Sequence, residues 1–255
     1  MKRIRRSLTG TVLIILAACS AQIASAAPLV ESQFNATSTA FFPINTTNDL
    51  VLAGANTLTS SSYTGSIFFG TLSSINDGQL GGSTVATTAT ATQTLYFGNQ
   101  DGPGVPGSVT FNLNTSTNIL GYDISSLNVF GGWNQKAIFQ NFTVTYTTVS
   151  SSTPMTLTSV NYLPFPNATA TGEYSSLTTI TSDNSAPLVS GVNSITFSFN
   201  PHDFSGDIRS TVLREISVIG TATVPEPSVV GTLLLGFAVA GFAFLKRRPN
   251  RTASI

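Results

Sequence analysis

Cysteine is almost missing from the chain: the single one among 255 residues is Cys19. With one thiol there is no internal disulfide and no cysteine-rich zinc cluster, and stability has to come from packing or from a bound ion. Histidine is equally scarce, His202 being the only one, and no G-x-S-x-G, H-E-x-x-H or P-loop string occurs. A triad hydrolase, a zincin and a P-loop NTPase therefore lack their residues. Charge is thin as well, at 9% of residues against about a quarter in an average soluble domain. Eight of the eleven basic residues sit at the two ends, so only Lys136, Arg209 and Arg214 lie between residues 27 and 224. Ten acidic residues share that region, a formal surplus of seven negative charges. Such a surface excludes nucleic acid and other polyanions as partners and is compatible with a cation such as calcium. Long stretches of helical period are absent too, which leaves an all-β reading.

What is present begins at the ends. Lys2, Arg3, Arg5 and Arg6 form a basic n-region, Thr11 to Ala18 an apolar h-region, and Ala24–Ser25–Ala26 a small-residue cleavage site. Residues 1–26 are therefore expected to be a secretory signal peptide. The string Leu16 to Cys19, LAAC, also reads as a lipobox, in which Cys19 would be lipidated and become the first mature residue. At the other end Ser228 to Leu245 carry no charge, and as a helix they would be roughly 27 Å long, enough to cross a hydrocarbon core. Lys246, Arg247 and Arg248 follow at once and favour a cytoplasmic tail over residues 246–255, so that the preceding domain faces outward. Pro225, Glu226 and Pro227, within a linker at 221–227, hold an extended segment beside the membrane.

The order Pro225–Glu226–Pro227, short apolar helix, Arg247–Arg248 resembles the PEP-CTERM sorting signal of Gram-negative bacteria. The seven residues PNRTASI after the basic cluster make a longer tail than that pattern usually has. The resemblance implies recognition by an exosortase, a membrane-embedded cysteine transpeptidase or protease, and association with exopolysaccharide and biofilm matrix. It implies an exported protein that passes through the inner membrane on its way to the cell surface or extracellular matrix. The competing reading of the same tail is a permanent single-pass anchor.

Between the ends, runs of period two appear at Ser108–Leu113, Tyr122–Phe130, Phe139–Val149, Met155–Tyr162, Ser194–Phe199 and Val212–Gly220. Each alternates apolar and polar side chains as a half-buried strand requires: Phe142, Val144 and Tyr146 share one face, Thr143, Thr145 and Thr147 the other. Turn formers separate the runs, among them NDG at Asn76 to Gly78 and GG at Gly131 and Gly132. The expected fold is one all-β two-sheet sandwich over residues 27–220. The threonine-rich stretch Ser83 to Gln93 fits either a long edge strand or a loop.

GYDISSLNVFGGW, NFTVTYTTV and the final VLREISVIG together resemble galactose-binding-like domains of the discoidin or F5/8 type C kind over residues 75–220. That resemblance implies an eight-stranded jelly roll in which a DG turn and a glutamate on the last strand hold a structural calcium. Here the positions would be Asp77, with Gly78 enabling the turn, and Glu215, with the backbone carbonyl of Arg214 beside it. Oxygen ligands on an acidic, lysine-free loop suit calcium. The alternative is an ordinary tight turn with Glu215 paired to Arg209 or Arg214 on the surface. The resemblance also implies a ligand site in the loops at one end of the sandwich. Trp133, the only tryptophan, could stack on a sugar of a surface polysaccharide, with Asn134, Gln135 and Lys136 as donors; its alternative role is to plug the core. Tyr162 and Phe165 form a second aromatic stretch, readable as an exposed loop or as a proline-braced connection. Catalysis would need a carboxylate pair such as Glu173 with Asp203 or Asp207, and no spacing singles one out. The sequence reads as a non-catalytic exported protein.

Overall fold

The computed structural model describes residues 27–35, 42–65, 67–80, 95–97, 106–134, 139–164, 173–200 and 211–224. The signal segment 1–26, the threonine-rich stretch and the tail from Pro225 onward lie outside them. Among the described residues eleven strands follow in order: β1 (Pro28–Asn35), β2 (Leu58–Thr64), β3 (Ile67–Gly70), β4 (Leu95–Phe97), β5 (Gly107–Leu113), β6 (Tyr122–Asn134), β7 (Gln140–Thr148), β8 (Ser151–Tyr162), β9 (Glu173–Ser182), β10 (Val189–Phe199) and β11 (Thr211–Ala222). One 3-10 turn, Leu72–Ile75, interrupts them. All six runs of period two are strands. The resemblance implied eight strands; three more arise because segments ahead of residue 75 add themselves to exposed edges, β1 along β9 and β2 along β5.

The pairing is antiparallel throughout and divides into two layers. Sheet I runs β1-β9-β6-β11-β4-β3, and sheet II runs β2-β5-β10-β7-β8. Strand β10 joins them: Val189 and Val192 pair with β6, whereas Ser194 to Phe199 sit between β5 and β7. A register shift at residues 192–194 marks the change of partner, as corner strands of sandwiches require.

Both layers turn their apolar alternates into one core. Leu127, Val129, Ile180, Ile216 and Val218 from sheet I meet Val109, Phe111, Phe142, Val144, Ile195 and Phe197 from sheet II, all fully buried. Phenylalanines anchor the sheet II side. Phe197 stands edge-on to Phe111 with ring centroids 6.3 Å apart and 6.2 Å from Phe142, while Phe142 and Phe199 approach to 5.5 Å. These offset and edge contacts add to the simple gain from burial. Among the described residues no helix is long and apolar enough to cross a membrane.

Candidate metal centre

The last strand carries the irregularity on which the site is built. Leu213 pairs with Gly131 and Glu215 with Phe130, so Arg214 is an extra residue in the ladder, a bulge. Past the bulge, Ile216 and Val218 face the core, which turns Glu215 and Ser217 to the opposite face of sheet I. Described residues within 42–50 and 76–80 cover that face. Leu80, Phe130 and Leu177 form a second apolar cluster there, flanked by Phe42 and Ile44.

Asp49 fixes the cover to β11. It bridges to Ile219, the Leu50 amide donates to the Val218 carbonyl at 2.8 Å, and the Gly220 amide donates to Asn48 at 3.1 Å. Asp49 Oδ1 accepts from the amides of Val51 and Val218, both at 3.1 Å. The 3-10 turn then delivers Asn76, whose Nδ2 donates to the Val51 carbonyl at 2.8 Å. In the NDG turn, Asp77 Oδ1 accepts from the Gln79 amide at 2.9 Å, and Gly78 takes φ +78°, where a glycine is needed. The Gly78 amide donates to Glu215 Oε1 at 3.2 Å.

The structure thus brings the Asp77–Gly78 turn to Glu215, with Gly78 and Glu215 separated by 137 residues of chain. The alternative of a surface ion pair does not hold for Glu215, because its side chain is wholly buried. Arg214 points elsewhere: its buried Nε donates to the Gly132 carbonyl at 2.8 Å, and burial lowers its pKa to about 10. Two neighbours escaped the sequence reading, Asp49 and Asn76, because TTND and NDG look like plain turns and nothing local shows that β11 lies beside both.

The electrostatics of the cluster are unusual. Burial pushes the Glu215 carboxyl up to about 9, and the nearby charges of Asp77 and Asp49 push the same way against the amides of Gly78 and Asp77. Asp49 is raised by burial, opposed by the amides of Val51 and Val218. Three buried acceptors, Asp49 Oδ2, Asn76 Oδ1 and Glu215 Oε2, have no hydrogen-bond partner. Unpaired buried oxygens of this kind are costly and are the donors a hard cation takes. Among the described residues no three carboxylate, histidine or cysteine side chains converge closely enough to hold a metal by themselves. A cation here would draw on the Asn76 amide oxygen and on backbone carbonyls.

The other expected site lies where β6 ends. Trp133 and Asn134 pair in register with Tyr174 and Glu173; their side chains, and Lys136, Phe165, His202, Asp203 and Asp207, lie outside the described residues. Beneath that strand end sits a buried polar knot. Gln140 Nε2 donates to the Val129 carbonyl at 2.9 Å and to Ser176 Oγ at 3.0 Å, and a Cβ on Gly131 would come within 2.7 Å of Ser176 Oγ. Gly131 therefore lets β9 and Gln140 close over it. Tyr162 does not form an exposed aromatic loop. It is partly buried against the core.

Comparison with known proteins places a PEP-CTERM protein-sorting motif at residues 223–248. The chain thus carries the signal of an exported, sorted protein. No curated protein sequence matches it. Similar folds include the family 32 carbohydrate-binding module of Clostridium perfringens NanJ, solved with galactose, with a TM-score of 0.41 at 14% identity, covering 62% of this chain and 91% of that one. The family 32 module of Streptococcus pneumoniae EndoD also reaches 0.41, at 11% identity over 67% of this chain and 97% of that one. Allantoicase from Saccharomyces cerevisiae gives 0.40 at 12% identity, covering 67% and 42%. Likeness at this level carries nothing about ligand or activity.

Proposed function

We propose that the β-sandwich is the non-catalytic cargo of an exosortase-type sorting system, with a structural or adhesive role at the cell surface or in an exopolysaccharide matrix. The observation that carries this reading is the position of the sorting motif. It begins at residue 223, directly after β11 ends at Ala222, so every described strand precedes it. In this reading residues 228–245 form a transient membrane helix, Lys246 to Arg248 stay in the cytoplasm, and Pro225 to Pro227 present the segment to the processing enzyme. The intact mass of protein recovered from its native surface fraction, with both terminal peptides sequenced, tests it. A C-terminus near Pro225 to Pro227 is expected; a chain still ending at Ile255 would reduce the tail to an anchor and end the sorting reading.

Calcium bracing belongs to the same proposal. Asp77 and Glu215 with the Arg214 carbonyl, joined by Asn76 and Asp49, would hold the ion and tie the cover segment to β11. The three unpartnered buried oxygens support this. Narrower recognition of polysaccharide is favoured by one feature, the anchoring of the strand end before Trp133, Asn134 and Lys136 by Arg214 and Gln140. Titration with cell-surface glycans should shift tryptophan emission under that reading. No observation favours a carboxylate-pair hydrolase.

A further inference from the structure

Sheet II turns outward a lattice of hydroxyls. Cross-strand register aligns Thr64, Ser108, Ser198, Thr143 and Ser159 in one row across β2, β5, β10, β7 and β8. Two residues along, or three on β8 where the register shifts, Ser62, Thr110, Thr196, Thr145 and Thr156 form a second row, and Ser60, Asn112, Ser194 and Thr147 a third. Strand geometry sets neighbours in a row about 4.8 Å apart and the rows about 6.8 Å apart, so each five-strand row runs roughly 19 Å. Neighbouring members hold one another. Thr64 and Ser108 share a hydrogen bond at 2.8 Å, Thr110 and Thr196 at 2.9 Å, Thr143 and Ser159 at 2.9 Å, and Asn112 Nδ2 donates to Ser60 Oγ at 3.0 Å. Each hydroxyl pair that shares one bond still offers one O–H donor and free lone pairs, from side chains already fixed by their neighbours.

The five strands contain no charged residue at all. Soluble surfaces ordinarily carry charges of both signs, and edge strands are commonly blunted with lysine. Here the outer edge β8 is guarded by Pro154 and by two register shifts, and the outer edge β2 by one. Those devices prevent edge pairing while leaving the face neutral. The face also lacks the apolar anchor that the centre of a protein interface needs. Tyr63, on the β2 edge, is the only large hydrophobic side chain in these strands with more than a third of its surface exposed. A charged partner would find no counter-charge. A neutral polymer that both donates and accepts hydrogen bonds meets its own chemistry and desolvates no ion.

We infer that the outer face of sheet II docks the surface of a neutral, hydroxyl-rich polysaccharide, apart from the strand end that carries Trp133. The inference rests on the reading that the domain is displayed outside the cell, yet its test is separate from the fate of the tail. The full chain in detergent micelles is mixed with suspended microcrystalline cellulose, chitin or insoluble amylose, and depletion from the supernatant is measured. Depletion by at least one is expected. Thr145→Glu with Thr196→Glu should weaken it at least about tenfold, the effect of ions pressed unpaired against a neutral surface, while Ser125→Glu on sheet I leaves it unchanged. Should the double variant fail to fold, Thr196→Val removes a hydroxyl with a residue strands favour and should still lower retention. No depletion by any of the three, retention unaffected by both sheet II variants, or loss on Trp133→Ala alone would overturn the inference. So would self-association of the chain abolished by the same variants with depletion intact. Each of these outcomes can occur with the tail correctly processed, which separates this failure from failure of the sorting reading.

Discussion

Sheets I and II bury the same kind of side chain and differ in what they turn away from the core. Among the described residues every charged one in a strand, Glu31, Asp123, Glu173, Arg214 and Glu215, belongs to sheet I, and sheet II has none. Both layers carry register shifts, sheet II where β2 meets β5, β10 meets β7 and β7 meets β8, and they differ in what the shifts serve. In β11 a bulge at Arg214 turns a buried guanidinium to the Gly132 carbonyl and, one residue on, a buried carboxylate to a partner from a distant loop. Pairing of β5 with β10 runs without a shift from Ser194 to Phe199. Irregular backbone with covering loops makes a place where unlike groups can be assembled and desolvated. An open face around the unshifted β5–β10 pairing makes a repeating surface. One sandwich therefore supports two kinds of recognition, a point site and a lattice, because its layers are built differently on their outer sides.

The largest effect is expected where the two sheets are alike. Phe197 is wholly buried and touches Phe111, Phe142 and Phe199, so Phe197→Ala should cost about 3–5 kcal/mol. Urea unfolding should show this as a single shifted transition, since the core is common to both layers. Two separated transitions would mean that the sheets unfold as independent units, and the comparison would lose its shared frame.

A smaller effect should separate them. The Glu215 pKa lies at about 9 in the folded protein against 4.5 for the free group. Between those values the folded chain keeps a proton that the unfolded chain has released. Without metal, stability should therefore be full below the unfolded pKa and fall as pH rises towards 9. Asp49 is shifted in the same direction. At pH 8 and with chelator present, Glu215→Gln should raise the melting temperature by about 2–4 °C for each kcal/mol of relief. That gain should vanish below pH 4. Calcium at a hundredfold excess over its dissociation constant should stabilise the parent by about 2.7 kcal/mol and leave the Gln variant nearly unmoved. A parent melting curve indifferent to both pH and calcium would remove the point site from sheet I.

How much of this was visible in the sequence follows the same division. Strands β5, β6, β7, β8, β10 and β11 are legible because alternation survives wherever one face is buried and the other wet. Strand β9 hides, since EYSSLTTITS buries Ser175, Ser176 and Thr178, and hydroxyls on the covered face erase the pattern. Strands β1 and β2 hide for the opposite reason, being largely exposed edges. At the site, Asp77 and Glu215 came from family resemblance. Asp49 and Asn76 could be found only once β11 was known to lie beside both turns. The hydroxyl rows needed register, which no single run of period two supplies.

The smallest effect belongs to that lattice, and its smallness is what the comparison needs. Thr110 and Thr196 share a 2.9 Å hydrogen bond on a part-buried face. Replacing Thr110 with valine keeps shape and strand preference and returns the Thr196 hydroxyl to solvent, so the loss should stay within about 1 kcal/mol. In sheet I the matching change is Ser176→Ala, which takes an acceptor from the buried Gln140 amide and should cost about 1–3 kcal/mol. A denaturant series on both variants ranks them. If Thr110→Val proved as damaging as Ser176→Ala, the hydroxyl rows would be holding the fold together rather than facing a partner, and their regularity would be a consequence of packing. If it is nearly silent, the fold does not require the rows, and their neutral, ordered pattern calls for a cause outside the molecule.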